Sequence, residues 1–398
     1  MLGDFETIIK QKISSKKSEG TYKTERILRT NQGPEIWIEG KDIPVLNFCA
    51  NNYLGLANHP AIVKAAHDAL DTFGFGMASV RFICGTGILH KQLESVISQF
   101  LGTEDTILYT SCFDANGGLF ESVMDEGDVI ISATLNHASI IDGVRLSKAE
   151  RLLYRAEDMN ELERVLRDSQ SARLKVVVTD GVFSMEGDLA PLDNIAPLCK
   201  KYGAILTIDD SHATGFLGPT GKGTAEELGV LSEVDVFTST LGKTLGGACG
   251  GFVSGRKLLI DWLRNASRPY LFSNSLPPSL VAGALKAFEI IQGEEGTHLR
   301  KKIKENTAYF RGKLMEIGFK IKPGIHPIIP IMIGDAVKAA GMAEALLQEG
   351  IYVISFSYPV VPKETARIRV QISAAHTREH LDTALDAFAQ VGKRFGIL

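Results

Sequence analysis

The 398-residue chain has few cysteines and no strong excess of charge of either sign. The five cysteines are odd in number, scattered and never arranged as Cys-x-x-Cys (Cys49, Cys84, Cys112, Cys199 and Cys249). This pattern argues against a disulfide framework and a structural zinc site, and it favours a reducing compartment such as the cytoplasm. Since 43 Lys and Arg residues are balanced by 47 Asp and Glu residues, no surface for nucleic acid is indicated.

Long apolar runs are missing as well. No stretch approaches the roughly 18 apolar residues that a membrane span needs. The first residues include Asp4, Glu6 and Lys10, so we expect no signal peptide there. There are no repeats or low-complexity tracts. Hydrophobic residues make up 44% of the chain, and its length predicts one large and one small domain.

The middle of the chain alternates short apolar segments with helical patterns. Strand candidates begin at Thr106, Asp128, Lys175, Ala204, Val234 and Gly251. Each is nearly all apolar, as strands buried on both faces are, and helical stretches lie between most of them. The pattern predicts an α/β fold with a mostly parallel sheet covered by helices, and its ligand site at the carboxyl ends of the strands.

Domain boundaries follow from changes in this pattern. We expect an N-terminal helical arm and short hairpin over residues 1–45, with an apolar stripe on the helix (Phe5, Ile8, Ile9 and Ile13). Such an arm packs across another surface, for example a partner subunit, or lies solvated. Residues 46–285 would form the large domain. Residues 286–398, with strand candidates at 328, 351 and 366, would form a smaller α/β domain.

The chemistry of the chain centres on Lys243, which lies among glycines just after a strand candidate. A Walker A loop would need glycine at position 237, which is Phe237, and a Ser-x-x-Lys site would need serine where Thr240 stands. What remains is a lysine that forms a Schiff base with an aldehyde cofactor, or a solvated turn lysine.

Asp209 ends an apolar strand, where a carboxylate needs a partner to offset its lost hydration. A pyridinium nitrogen is such a partner, and the pair keeps the ring able to accept electrons. His212, three residues on, is placed to reach the phenolic oxygen of the same ring. The alternative is a helix-capping aspartate with an incidental histidine.

Two further turns point to the same ligand. The turn at Ser111 leads from a strand into a helix N-terminus, which suits a phosphate, although plain caps look alike. His137 follows another strand and is a candidate to lie flat over the ring, with its cationic form pairing with an acidic substrate. The alternative is a structural histidine.

Arg367 and Arg369 lie two apart on a strand, so they share a face, and guanidinium groups hold carboxylates by two parallel bonds. A surface arginine is the alternative for either. Taken together, these features predict a pyridoxal 5′-phosphate (PLP) site that binds an amino acid.

The chain resembles the α-oxoamine synthases, a family of fold-type I PLP enzymes, over essentially its whole length. The motifs are Phe48-Cys-Ala-Asn-Asn-Tyr-Leu-Gly-Leu, Arg81-Phe-Ile-Cys-Gly-Thr with His90, Asn136-His-Ala-Ser-Ile-Ile-Asp-Gly, Asp209-Asp-Ser-His-Ala, Thr240-Leu-Gly-Lys, and Pro359-Val-Val-Pro with Ala366-Arg-Ile-Arg. The segments starting at Gly74 and Arg268 resemble the members that use glycine and acetyl-CoA.

The resemblance implies a fold-type I PLP-dependent transferase and assigns roles residue by residue. Lys243 would carry the Schiff base and move the Cα proton, with Asp209 on the ring nitrogen and His137 stacked on the ring. The phenolic oxygen would be held by His212 and Ser184. The phosphate would be held by Ser111, Cys112, Phe113 and Thr240, and by Ser273 and Asn274 of the other subunit of a homodimer. Asn52 and Arg369 would hold the substrate carboxylate.

The implied reaction joins glycine and acetyl-CoA into 2-amino-3-oxobutyrate and CoA, and its reverse serves threonine breakdown. A sister synthase with another substrate pair is the first rival, such as serine with palmitoyl-CoA, alanine with pimeloyl-CoA or glycine with succinyl-CoA. A non-catalytic PLP-binding regulator and a plain aminotransferase are the others. The regulator would carry an added module, for which the chain leaves no room.

Overall fold

The structure of the chain, a computed structural model, describes residues 2–19, 21–358 and 360–398. Two compact units make up the chain: a larger one of Asn51–Ser184 and Asp188–Lys302, and a smaller one of Met1–Ala50, Met185–Gly187 and Ile303–Leu398. The N-terminal residues thus group with the C-terminal ones. The last boundary falls inside a helix at 302/303, where the sequence predicted 285/286.

The described residues form the following elements. The strands are β1 (Glu35–Ile36), β2 (Val45–Asn47), β3 (Asp105–Tyr109), β4 (Val129–Ala133), β5 (Glu150–Tyr154), β6 (Lys175–Asp180), β7 (Ile205–Asp209), β8 (Val236–Thr240), β9 (Gly251–Gly255), β10 (Ile328–Gly334), β11 (Ile351–Tyr352), β12 (Ile354–Phe356) and β13 (Ala366–Gln371). The helices are α1 (Leu2–Ser18), α2 (Pro60–Phe73), α3 (Ile88–Leu101), α4 (Cys112–Val123), α5 (Ala138–Leu146), α6 (Met159–Asp168), α7 (Leu192–Tyr202), α8 (Thr224–Glu227), α9 (Lys257–Ala266), α10 (Arg268–Phe272), α11 (Pro278–Gln292), α12 (Glu294–Ile317), α13 (Ala336–Gln348) and α14 (Arg378–Arg394).

The larger unit is built on a seven-stranded sheet in the order β3-β9-β8-β7-β6-β4-β5. Its strands run parallel except β9, which is antiparallel to both neighbours. Strands β4, β6 and β9 are buried along their whole length, because their side chains pack against helices on both faces. The predicted α/β architecture is confirmed.

Strand β5 was not predicted from the sequence. It is the edge strand of the sheet, and its first residues, Glu150 and Arg151, are exposed. An edge strand is covered on fewer sides than a central one, so it lacks the all-apolar signature that revealed the other strands.

The smaller unit contains two three-stranded sheets. One has the order β10-β13-β12 and is antiparallel, and the other has the order β1-β2-β11. Phe48, Phe310 and Phe388 lie in one core with the apolar side chains of β10 and β13. Each such fully buried side chain contributes about 1.5–3 kcal/mol relative to an exposed one. This core holds β13, the strand that carries Arg367 and Arg369.

The N-terminal helix α1 spans Leu2–Ser18. None of its residues is buried, and its apolar stripe of Phe5, Ile8, Ile9 and Ile13 is exposed. Packing of this stripe on another surface stays a prediction. Across the described residues, we find no helix with the length and apolarity to cross a membrane.

Candidate active site

A cavity of about 250 Å³ lies in the larger unit at the carboxyl ends of β6, β7 and β8, where the sequence predicted the site. It brings together most of the predicted residues. Its lining consists of Ser111, Cys112, Phe113, His137, Ser139, Asp180, Val182, Ser184, Asp209, Ser211, His212, Thr240 and Lys243. A parallel sheet produces this arrangement because the chain leaves each strand at the same edge.

Lys243 enters the cavity from the loop between β8 and β9. The loop is fixed at its base, where Leu241 N donates to Gly250 O (2.9 Å) and Gly242 N donates to Thr240 Oγ1 (3.0 Å). Gly246 and Gly247 then turn the chain with φ of +99° and +69°, a conformation that favours glycine. The lysine is half-buried and lines the cavity, which argues against a solvated turn lysine.

Asp209 is 5% exposed, and its carboxylate has three hydrogen-bond donors. Asn116 Nδ2 donates to Oδ2 (2.7 Å), Ser211 N donates to Oδ1 (3.0 Å), and Cys112 Sγ donates to Oδ2 (3.4 Å). These donors offset the loss of hydration. Burial, reinforced by the charge of Asp209, raises the pKa of the Cys112 thiol well above its ordinary value, so the thiol keeps its proton and serves as a donor.

His212 is buried beside Asp209 and is held by Tyr53, whose hydroxyl lies 2.7 Å from His212 Nδ1. Tyr53 is fully buried and stacks on Phe216 with ring centroids 4.7 Å apart. The Nδ1 of His212 is thus engaged by the tyrosine, and the residue itself lines the cavity.

His137 caps the N-terminus of α5. Its Nδ1 lies 2.8 Å from Ser139 Oγ and accepts from Ser139 N (3.3 Å), and its own backbone N–H donates to Asp180 Oδ2 (2.8 Å). Burial lowers the pKa of His137; Asp209 opposes this effect, and Lys243 adds to it. Burial therefore favours the neutral imidazole, and the pairing of a cationic His137 with an acidic substrate stays a prediction.

The turn into α4 has the features of an anion site. Ser111 is the N-cap, its Oγ accepts from Asp114 N (3.0 Å), and the first N–H groups of any helix have no partner within the helix. Gly251 of β9 packs tightly against this turn, since a Cβ on it would lie 2.3 Å from Cys112 N. The same sheet edge therefore carries the turn and the Lys243 loop.

The remaining predicted residues lie outside this cavity. Asn52 accepts a bond from Ala57 N (3.1 Å) in the larger unit. Ser273 and Asn274 line a separate small cavity with Arg81. They were predicted to serve a second subunit, and this role stays a prediction. Pro359, the first residue of one family motif, lies outside the described residues.

The two arginines of β13, which belongs to the smaller unit, have different contacts. Arg367 is 3% exposed and forms a salt bridge with Glu186 (2.9 Å). The guanidinium of Arg369 lies 4.7 Å from the ring centroid of Phe356. The salt bridge with Glu186 engages the charge of Arg367 within the smaller unit, which argues against Arg367 as the residue for a substrate carboxylate.

Sequence reasoning missed several residues of the site. Asp180 ends the apolar strand β6 as Asp209 ends β7, and Asp180 and Asp209 are register partners, so the rule that found Asp209 also points to Asp180. Tyr53 lies next to Asn52 in the motif that starts at Phe48, but Tyr53 itself was assigned no role. Asn116 has no signal in the sequence, since its contacts arise only when α4 packs beside β7.

The residues of the cavity fit PLP. They offer an amine for the aldehyde, a donor-stabilised carboxylate for the ring nitrogen, histidines for the ring and its phenolic oxygen, and a helix N-terminus for the phosphate. The lining therefore holds a suitable partner for the aldehyde, the ring and the phosphate of this cofactor.

Comparison with known proteins agrees with the assignment of a PLP site. The model of the family "Aminotransferase class I and II" matches residues 43–388. The chain is 51% identical to a 2-amino-3-ketobutyrate coenzyme A ligase of Escherichia coli, covering 100% of both proteins. It is 50% identical to the mitochondrial enzyme of that name from Mus musculus, over 100% of the chain and 95% of the relative. An 8-amino-7-oxononanoate synthase of Thermoanaerobacter pseudethanolicus is 44% identical, over 98% of each.

Among solved structures, a serine palmitoyltransferase variant from S. paucimobilis with a bound PLP–myriocin aldimine superposes with a TM-score of 0.91, at 30% identity and 100% coverage of both chains. PLP is therefore the cofactor, and the protein is an enzyme. The chain belongs to the aminotransferase class I and II family and, within it, to the α-oxoamine synthases.

Proposed function

We propose that the protein is a glycine C-acetyltransferase, which interconverts glycine and acetyl-CoA with 2-amino-3-oxobutyrate and CoA. The observation that carries the proposal is the single cavity that contains Lys243, Asp209, His212 and His137. The names of the relatives at 50% and 51% identity over the full chain support the choice of substrates.

When bound, PLP supplies an aldehyde that condenses with amines and a ring that accepts the electron pair released at a substrate carbon. Lys243 would hold the aldehyde before substrate arrives and would afterwards take the proton from Cα of glycine. Asp209, whose carboxylate is positioned by three donors, would lie at the ring nitrogen, where its negative charge would favour the protonated ring. His212 and Ser184 would hold the phenolic oxygen, and His137 would stack on the ring.

The phosphate is assigned to the N-terminus of α4, through Ser111, Cys112 and Phe113, and to Thr240 at the end of β8. Ser273 and Asn274 complete this site from a second copy of the chain, so the proposal includes a homodimer. Asn52 and Arg369 take the glycine carboxylate. A planar guanidinium suits this role because it can form two parallel bonds to one carboxylate.

The proposed setting is the breakdown of threonine, in which the cleavage direction releases glycine and acetyl-CoA. The scattered, odd cysteines support a reducing compartment, and we assign the protein to the cytoplasm.

The test is to mix the purified PLP-loaded protein with glycine and acetyl-CoA and to measure free CoA thiol. We expect glycine to change the visible absorbance of the bound cofactor, and thiol release to need both substrates. Release with alanine and pimeloyl-CoA, or with serine and palmitoyl-CoA, but not with glycine and acetyl-CoA would assign a sister synthase. Accumulation of the amine form of the cofactor with an oxo acid would assign an aminotransferase.

A further inference from the structure

Asn116 lies in α4 and is 1% exposed, and its amide connects three parts of the site. Its Nδ2 donates to Asp209 Oδ2 (2.7 Å) and to Ser139 Oγ (2.9 Å). Its Oδ1 accepts from Thr238 Oγ1 of β8 (2.8 Å). Both amide hydrogens and the amide oxygen are thus engaged, each with a different element of the larger unit.

The orientation of this amide follows from its partners. An ionised carboxylate can only accept hydrogen bonds, so the nitrogen of Asn116 must face Asp209. With the amide flipped, two acceptor oxygens would lie 2.7 Å apart in a buried place. The oxygen therefore faces Thr238, whose hydroxyl can donate.

The second amide hydrogen links Asn116 to the surroundings of His137. Because an amide N–H only donates, Ser139 Oγ accepts from Asn116, and the same hydroxyl lies 2.8 Å from His137 Nδ1. Nδ1 accepts from Ser139 N (3.3 Å), so it carries no proton. The neutral ring then has its proton on Nε2.

We propose that Asn116 is a positioning residue of the cofactor site, which joins Asp209 and, through Ser139, His137 in one hydrogen-bonded set. The first of these residues addresses the nitrogen of the cofactor ring and the second its face. One side chain therefore sets the position of these two residues relative to each other. This inference rests on the proposed function only for the identity of the cofactor.

Two variants separate the link to Asp209 from the link to His137. Asn116→Ala removes both links, whereas Ser139→Ala removes only the link to His137. The matched control is Asn306→Ala in the smaller unit, because Asn306 is also buried and donates to two carbonyls, Ser373 O (3.2 Å) and His376 O (2.9 Å). The measurements are the PLP dissociation constant, the melting temperature and the ¹⁵N shifts of the His137 ring.

We expect Asn116→Ala to weaken PLP binding about 10- to 100-fold, as loss of a hydrogen bond to a charged group implies. Ser139→Ala should change it less than about threefold, on the scale of a neutral hydrogen bond. Both variants should change the His137 ring shifts, because each alters the contact between Ser139 Oγ and Nδ1, while the backbone N–H of Ser139 keeps Nδ1 unprotonated. Asn306→Ala should lower the melting temperature and leave PLP binding and the His137 shifts as in the wild type.

The proposal is overturned if folded Asn116→Ala binds PLP like the wild type, or if Asn306→Ala weakens binding equally. Should Asn116→Ala not fold, the nearly isosteric Asn116→Asp, which cannot donate both bonds, must show the same loss. A wild-type protein that binds PLP but does not use glycine and acetyl-CoA would refute the proposed function and leave this test intact. One that does not bind PLP would refute both.

Discussion

Replacing Tyr53 by phenylalanine should expose how much of the site depends on one buried hydroxyl. The hydroxyl lies 2.7 Å from His212 Nδ1, and Tyr53 is fully buried. The substitution keeps the ring and its stacking on Phe216 and removes the hydrogen bond to His212. His212 Nδ1 is then left in a buried place without its tyrosine partner.

The magnitude follows from the cost of leaving a buried polar atom unpaired, about 1–3 kcal/mol. A loss of this size lowers the melting temperature by roughly 2–4 °C per kcal/mol in a unit of about 250 residues. The cofactor should also bind less tightly, by about five- to tenfold, because His212 lines the cavity and loses the partner that fixes its ring orientation.

The assay compares Tyr53→Phe with Tyr154→Phe by thermal melting at saturating PLP and by PLP titration. Tyr154 is equally buried, but its hydroxyl has no hydrogen bond of ordinary geometry within the described residues, although Thr179 is close enough to affect its pKa. We expect Tyr154→Phe to be neutral or slightly stabilising in both measurements.

Equal melting temperatures and equal PLP affinities for the two variants would refute the reasoning. The hydroxyl of Tyr53 would then add nothing beyond its burial. A loss of stability without a loss of PLP affinity would restrict Tyr53 to a structural role and remove it from the chain of contacts that ends at the cofactor.

Three further predictions concern other parts of the site and fold. Lys243→Ala should fold, bind PLP without the absorbance of a Schiff base and turn over no substrate. Activity near that of the wild type would refute the role of Lys243 as the Schiff-base lysine. Arg369→Ala should raise the glycine KM about 10- to 100-fold with PLP still bound, as loss of a charged bond implies, and an unchanged KM would move the carboxylate site elsewhere. Burial lowers the pKa of His90 below 6.5, so the unfolded chain gains a proton first as pH falls. His90 therefore lowers the free energy of unfolding by up to about 1.4 kcal/mol per pH unit below pH 6.5. Urea denaturation at pH 7.5 and pH 5.5 should show that His90→Gln loses less stability at the lower pH than the exposed control His67→Gln.

The central strands and the cavity residues that follow them could be predicted because burial on both faces leaves a local signature. Asp209 stands out as a charge at the end of an apolar run, and Lys243 as a lysine among glycines. Both signals are contained in a few neighbouring residues.

What could not be predicted depends on contacts between distant segments. Asn116 meets Asp209 across 93 positions of sequence, and Tyr53 meets His212 across 159. The neutral state of His137 arises from burial and from the cap of α5, neither of which is visible in a lone histidine after a strand. Strand β5 was missed because an edge strand need not be apolar.

The assembly of the smaller unit from three separate segments bears on how the chain folds during synthesis. Strand β2 pairs with β11, Leu46 opposite Ile351, so the N-terminal strands gain this partner only when the C-terminal residues have been made. The larger unit is complete once Lys302 has emerged and can fold first, since domains fold as units on the ribosome. A short hairpin such as β1–β2 is marginal alone in water. Strand β2 therefore stays without its partner β11 during most of translation, and in a chain that stops early it never gains that partner.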